Sequence, residues 1–502
     1  MGGSVFVVGG GSLTFQGSFG SMFGGALTGG MGGSASAGNG QTFGNGIFLN
    51  SSINGATMNG TLIFEPDAGA TFTYNDDITD QTGSGGTGPN AGSGGLTLGV
   101  VGKTAGIVLL GGNNTFSGAT TINSGTLQGN LSPNSTLTLS NGTTYNLSGN
   151  QTSGGLAGEG TVSLGANTLS TGGNNTDSEF SGIIEGVGSL TKTGTGNFTL
   201  SGKNTYAGGT IISEGNVSIS SDSNLGDASG VLTLNGGVLE TTATLSSSRN
   251  VVLGTLGGEF QVDQEGTTTT LSGKIGGVGA LTKINPGTLK FASLNTYSGG
   301  TVIKGGILNI DADSNLGDPS GVLTLNGGIL ETTETITCAR TITLGKDGGT
   351  FQVDSGGDTT FLTGNISGEG SLTKTGSGSL QFYGTNNTYT GSTNILEGNL
   401  SVEGTIPTRT SLSLSSSASF SILQGSQEIG SLSGSDGSNV YLNDFSLTTG
   451  GNNTSTSCQS IIFGSGALTK IGTGTFILNA ANNYTGGTAV NGGVLSINQI
   501  II

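Results

Sequence analysis

Histidine and tryptophan are absent from this 502-residue chain, cysteine occurs twice and proline 6 times, and charged residues make up only 9%. Without histidine there is no Ser-His-Asp or Cys-His nucleophile and no imidazole acid–base chemistry. Two cysteines cannot complete a four-ligand structural zinc site. Lys+Arg number 13 against Asp+Glu 30, a net charge of −17, so phosphate is repelled and a nucleic-acid face is excluded. There is no run of about 18 apolar residues, hence no transmembrane helix is expected. The opening Met1-Gly2-Gly3-Ser4-Val5-Phe6 has no basic segment and no apolar core of about 7–15 residues, so no secretory leader is expected. The end, Gln499-Ile500-Ile501-Ile502, stops abruptly after a strand-like segment. Such a chain reads as a soluble intracellular protein or as a fragment of something longer.

Glycine is what the chain has in excess, at 102 residues. Each glycine inside a helix costs roughly 1 kcal/mol relative to alanine, which argues against helices. Disorder is disfavoured by the low charge and a mean hydropathy of +0.04. Apolar residues alternate in short runs: Phe198/Leu200, Val217/Ile219, Leu232/Leu234, Val251/Leu253 and Phe260/Val262. That is the period of a strand with one buried face. Gly-Gly, Asn-Gly and Gly-Asn pairs punctuate the runs and supply the turns.

An internal repeat organises the chain. DSNLGDASGVLTLNGGVLETT at 222–242 recurs as DSNLGDPSGVLTLNGGILETT at 313–333, an offset of 91 residues. Arg249 and Arg340 share that offset. A shorter signature occurs five times, marked by Phe116, Tyr206, Tyr297, Tyr389 and Tyr484. Two residues before each aromatic stands Asn114, Asn204, Asn295, Asn387 or Asn482, and nine after stands Gly125, Gly215, Gly306, Gly398 or Gly493. A lysine stands upstream of each aromatic at nearly constant spacing: Lys103, Lys192, Lys283, Lys374 and Lys470. Two kinds of spacer, one with DSNLGD and one with TGGNNT, separate the signatures. The expected organisation is an irregular, Gly-rich part at 1–95, a cap or the start of the array, then one continuous array over 96–502 with signatures at 101–128, 186–219, 277–310, 368–402 and 464–497. A stack of coils accounts for such a repeat better than sandwiches do. The fold class expected is all-β, a solenoid of parallel strands with super-repeats of about 91 residues, each of about four coils of roughly 23 residues.

The run LTKTGTGNFTLSGKNTYAGGTIISEGNVSI, with its cousins at 281–310, 372–402 and 468–497, resembles the autotransporter-associated β-strand repeat, also called the passenger-associated transport repeat. The resemblance covers about four-fifths of the chain. It implies a right-handed parallel β-helix, a stalk exported across both membranes of a Gram-negative cell and displayed at, or released from, its surface. The implied partner is an outer-membrane β-barrel translocator not contained in this chain, and the stalk itself is expected to be monomeric, supporting export and adhesion. No cofactor and no enzymatic activity are expected. The alternatives are a polysaccharide-active β-helix enzyme, hydrolase or lyase, and a calcium-binding adhesin.

Each candidate for chemistry also has a plain structural reading. Asp311, Asp313 and Asn315 have the alternate spacing of calcium ligands, but glycine falls at the seventh position and the other copy starts with Ser220. Asp and Asn bonding their own turns is the expectation. The pairs Asp263/Glu265 and Asp354/Asp358 suit a glycosidase in type, yet acids that recur with a repeat belong to its scaffold. The tyrosines are expected to pack over turns. Cys338 and Cys458, about five coils or roughly 25 Å apart, are too distant for a disulfide, whose limit is about 7 Å. The lysines are expected to be solvated charges at strand ends. No catalytic, cofactor or metal residue is assigned.

Overall fold

The computed structural model describes residues 93–498 and, before them, 5–7, 11–18, 21–22, 46–49, 52–53, 56–57, 60–80 and 82. Strands of mostly three to six residues run through all of it, and the only helices among the described residues are two 3-10 turns, Asp222–Leu225 and Asp313–Leu316. The chain forms two compact units, Met1–Glu240 and Thr241–Ile502.

The first unit is a parallel β-solenoid. One face stacks Ser12–Gly17, Thr61–Pro66, Gly95–Leu98, Thr120–Ile122, Thr136–Leu139, Gly155–Gly158, Ser178–Phe180, Asn197–Leu200 and Asn216–Ile219. A second face runs from Ser21–Met22 through Thr71–Tyr74 and Ile107–Leu110 to Ile183–Glu185. A third stacks Gln151–Ser153, Thr168–Thr171, Ser189–Lys192, Thr210–Ile212 and Leu232–Leu234. Strands from within residues 1–95 thus already belong to the ladders. The one antiparallel pair described is Ser52–Ile53 with Ala56–Thr57.

The second unit repeats this plan. Its first face carries Gly258–Val262, Leu281–Ile284, Thr301–Ile303, Leu323–Leu325, Ile342–Leu344 and Ile366–Gly368. The next face carries Thr268–Leu271, Thr288–Phe291, Ile307–Ile310, Ile329–Thr332, Gly349–Val353 and Leu372–Thr375. On the first face Leu281 pairs with Thr301, Thr301 with Leu323, Leu323 with Ile342 and Ile342 with Ile366. The coils are therefore unequal, the shortest running from Leu323 to Ile342 and the longest from Ile342 to Ile366. Four of them carry the chain from Leu281 only as far as Ile366, whereas the duplicated sequence returns at Leu372. The stretch from Ile366 to Leu372 takes the chain around one corner, so a super-repeat is four coils and one strand. Lys283 stands on the first face and Lys374 on the next.

Alternate residues point inward, as the period of two requires. Phe198, Leu200, Val217, Ile219, Leu232, Leu234, Val251, Leu253, Phe260 and Val262 are all buried. Hydroxyl pairs join the coils inside, Thr241 to Thr269 at 2.6 Å and Thr332 to Thr360 at 2.7 Å.

Candidate functional site: the repeated internal framework

The signature residues converge inside the coils. Where the chain passes a face without forming a strand, the asparagine does the pairing. Asn204 Oδ1 accepts from the Ile184 amide at 2.7 Å, and its Nδ2 donates to the Asn224 carbonyl at 2.6 Å. Asn295 joins Ile275 to Asn315 (2.8 and 2.6 Å), and Asn387 joins Ile366 to Thr405 (2.7 and 2.7 Å). Asn114 does the same between Ile78 and Asn130. Asn482 accepts from Ile462 but donates within its own loop, to Ala480. One buried amide thus replaces the two backbone bonds that a missing strand would have made, which buried peptide groups require.

The aromatic two residues on fills the core below. Tyr206, Tyr297 and Tyr389 are buried, each hydroxyl bonded to the threonine four residues later (Thr210, Thr301, Thr393) at 2.6–2.7 Å. Burial pushes the phenol of Tyr297 and of Tyr389 well above its ordinary range. Packing over a turn was the expectation for these rings. Tyr484, in the last described coil, keeps the same bond to Thr488 but is only half-buried. The glycine nine residues on has positive φ in all five copies, from +61° to +85°. A Cβ on Gly398 would lie 2.4 Å from the carbonyl oxygens of Gly376 and Gly378.

The lysines overturn their expectation. Lys192, Lys283, Lys374 and Lys470 are buried, at most 1% exposed, rather than solvated. Each ammonium donates to three carbonyls. Lys283 Nζ reaches Ile284 and Asn285 at 2.6 Å and Gly305 at 3.2 Å, and Lys374 Nζ reaches Thr375, Gly376 and Glu397 at 2.6, 2.7 and 3.3 Å. Lys192 and Lys470 repeat the pattern on Thr193, Gly194 and Glu214 and on Ile471, Gly472 and Gly492. The third carbonyl always belongs to the residue before the signature glycine. The lysine therefore ties its own corner to the corner of the coil above. Burial pushes the ammonium of Lys283 and of Lys374 down to about 8, and lowers Lys192 and Lys470 as well.

Lys103 does not belong to this set, because it is exposed. Leu98 pairs with Ile122 as Lys192 pairs with Ile212, so Leu98 holds the lysine position of the first copy.

The DSNLGD loop is organised around Arg340, which the sequence marks only by its 91-residue offset from Arg249. Its side chain is 1% exposed. Nε and Nη2 grip the two carboxylate oxygens of Asp313 at 2.9 and 3.1 Å. Nη1 and Nη2 also donate to the carbonyls of Asp313, Leu316, Gly317, Asp318 and Gly321 at 2.9–3.3 Å. Asn315 Oδ1 accepts from the Asp311 and Ala312 amides, both at 3.0 Å. The oxygens at calcium-like spacing thus hold a guanidinium and the turn's own backbone. The repeat itself carried the signal, since Arg249 and Arg340 follow their DSNLGD stretches at the same distance.

The acids Asp263, Asp354 and Asp358 accept hydrogen bonds from their own strand ends or from neighbouring coils. Asp263 accepts from Gln261 at 2.8 Å and from Asn285 at 3.2 Å, Asp354 from Gln352 at 2.8 Å, and Asp358 from Thr335 at 3.2 Å. Gln352 also donates to Glu331 at 2.7 Å, and Asn309 donates to the same carboxylate. Burial raises the Glu331 carboxyl above its ordinary range; nearby Asp354 adds to this and the Asn309 bond opposes it. Cys338 and Cys458 are buried and unbridged, with Cys338 pushed up to about 12 by burial. Among the described residues no helix is long and apolar enough to cross a membrane.

The framework coincides with a known repeat family. The model of the passenger-associated-transport-repeat matches residues 105–128, 190–219, 281–310, 372–402 and 468–497. The Adhesin BmaC autotransporter of Brucella suis biovar 1 (strain 1330) is 31% identical over 503 residues, which takes in 88% of this chain. The chain spans 14% of that relative's length. No solved structure matches. This β-solenoid thus carries five transport repeats whose shared residues fold inward to tie coil to coil, and over most of its length it is similar to an autotransporter adhesin.

Proposed function

We propose that the chain is a stalk segment of a surface-attached, non-enzymatic autotransporter passenger. A β-barrel translocator outside this chain carries it across the outer membrane, and the stalk extends other regions from the cell. The observation that carries this reading is where the signature residues sit. Asn, Tyr, Gly and Lys of the later four repeats point inward or mark corners, so the repeat encodes stacking and not a surface for chemistry. Stacking is local, since each coil meets only its neighbours, which allows a chain to fold progressively as it emerges. The relative's name supports adhesion as the end served, with contacts made by exposed loops. The test is deletion of residues 283–373 in the full-length native protein, followed by protease accessibility on intact cells. Surface exposure should fall. Unchanged display would remove the export role and leave only a spacer.

A further inference from the structure

The backbone carbonyl of the signature aromatic takes a donor from the coil above, and one copy lacks it. Phe116 O accepts from the Ser132 hydroxyl, and Tyr206 O and Tyr297 O accept from the amides of Asp227 and Asp318, both at 2.9 Å. No described residue donates to the carbonyl of Tyr389, a residue only 1% exposed. The cause lies in the loop above it. Thr405, Ile406 and Thr410 correspond to Asn130, Leu131 and Ser135 of the first copy. In each set the first carbonyl accepts from the signature asparagine, the next amide donates to a glutamine, and the last hydroxyl bonds the threonine four residues after the aromatic. Pro407 thus takes the place of Ser132, and proline brings neither a hydroxyl nor an N–H. The loop is also shorter than a DSNLGD loop, with nine residues between Val402 and Leu412 against twelve between Ile310 and Leu323. Where the longer loop seats Gly317 over the Tyr297 carbonyl, the shorter one leaves a cleft of about 520 Å³ between residues 385–390 and 405–409. Thr385, Asn386, Thr388 and Thr408 line it with side chains that make no hydrogen bond among the described residues. The exposed guanidinium of Arg409 has no hydrogen bond or ion pair there either, and Ile406 and Pro407 add an apolar wall.

We propose that this cleft binds a carboxylate-bearing sugar, its acid on the Arg409 guanidinium and one of its hydroxyls on the Tyr389 carbonyl. A buried carbonyl without a donor is costly, and a ligand hydroxyl placed on it recovers that cost. The planar fork of arginine pairs with a carboxylate through two parallel hydrogen bonds. Free threonine hydroxyls, an asparagine amide and an apolar wall match the hydroxyl edges and C–H faces of a pyranose. The cleft falls in the size range of small-ligand sites, about 300–1,000 Å³. A sugar acid of about 13 non-hydrogen atoms, at the ligand efficiency of drug-sized molecules, binds at about 1 mM. Such a site gives the adhesive contacts proposed above their ligand, and it rests on that reading for its purpose alone.

Saturation-transfer NMR on the intact chain, titrated with glucuronic acid and separately with N-acetylneuraminic acid, tests this. The two acids carry the same carboxylate from different glycans, and the tighter one names the source. One saturable site near about 1 mM is expected for at least one of them. Arg409→Met should weaken it by about tenfold or more, since a charge-assisted pair is lost. Pro407→Ser, which returns the capping hydroxyl of the first copy, should weaken it by about fivefold. Circular dichroism matching the wild type in both variants keeps misfolding out of the comparison. No saturation by either acid up to about 20 mM, well past that affinity, would overturn the proposal. So would binding that Arg409→Met or Pro407→Ser leaves unchanged, or glucose, aspartate or inorganic phosphate bound as tightly as the acids. None of these outcomes bears on surface display after deletion of residues 283–373, so the stalk reading stands or falls separately.

Discussion

Arg340 offers the sharpest test of how the solenoid holds its loops. Replacing it with methionine keeps the apolar stem and removes every donor. Asp313, 19% exposed at its side chain, would lose its only described cation, and five loop carbonyls would lose their shared donor. Removing one partner of a buried pair costs about 3–5 kcal/mol. Partial exposure of Asp313 lets water recover some of this, so about 3–4 kcal/mol is expected, a factor of roughly 10²–10³ in the local opening constant. Solenoids unfold locally rather than all at once, so the assay should be local. Hydrogen exchange read by mass spectrometry on peptides spanning 311–321 and 336–344 gives that constant directly. Arg340→Lys supplies three donors from a point charge instead of a planar fork, and should recover less than half of the lost protection. Protection at 311–321 within about threefold of wild type in Arg340→Met, against a factor of about 10² or more expected, would refute the clamp. Full recovery by lysine would refute the role of the fork.

The other predictions concern the framework. Asn295→Ala leaves the Ile275 amide and the Asn315 carbonyl unpaired at about 1–3 kcal/mol each, and should speed exchange at those two coils while the coils near Gln427 stay unchanged. Gly398→Ala meets both a left-handed backbone and two carbonyls, and should lower the urea midpoint, whereas Gly425→Ala, with open space around its Cβ, should suffer only the smaller conformational cost. Lys283 and Lys374 titrate near 8 in the fold and near 10.4 unfolded, so the unfolded state binds more protons between those values and stability should rise with pH across that window. The raised thiols work the other way, stability falling above the unfolded thiol value of about 8.5, so the comparison belongs in a Cys338→Ala/Cys458→Ala background, where Lys374→Met should remove about one proton's worth of slope. Cys338 in the otherwise native chain should resist thiol reagents until the fold opens, and prompt labelling at pH 8 would contradict its burial.

The strands and their inward residues were legible because a period of two survives in every coil. The lysines were legible too, in a way that their charge obscured. In Leu190-Thr191-Lys192 the lysine occupies the inward parity that leucine sets two residues earlier. What hides the role is its partner set, three backbone carbonyls that no side-chain pattern announces. The same holds for Arg340, five of whose acceptors are main-chain oxygens. The first copy misled for a geometric reason. Four extra residues after Leu98 put Lys103 at the expected count from Phe116, although the register gives that place to a leucine. Coil length was misjudged because dividing 91 by four assumes that a repeat ends on the face where it began.

That fractional turn has a consequence for assembly errors. Duplicated sequences invite slippage, in which one copy takes its twin's place. Here LTK at 281–283 and LTK at 372–374 sit on different faces. A chain that slipped by one duplication would find a matching edge, since Gly258–Val262 and Gly349–Val353 are nearly identical, but every later strand would be carried onto the neighbouring face. A slip would therefore leave its mark as an angle, like a thread of equal pitch cut with a different start, with every loop beyond it facing a new direction.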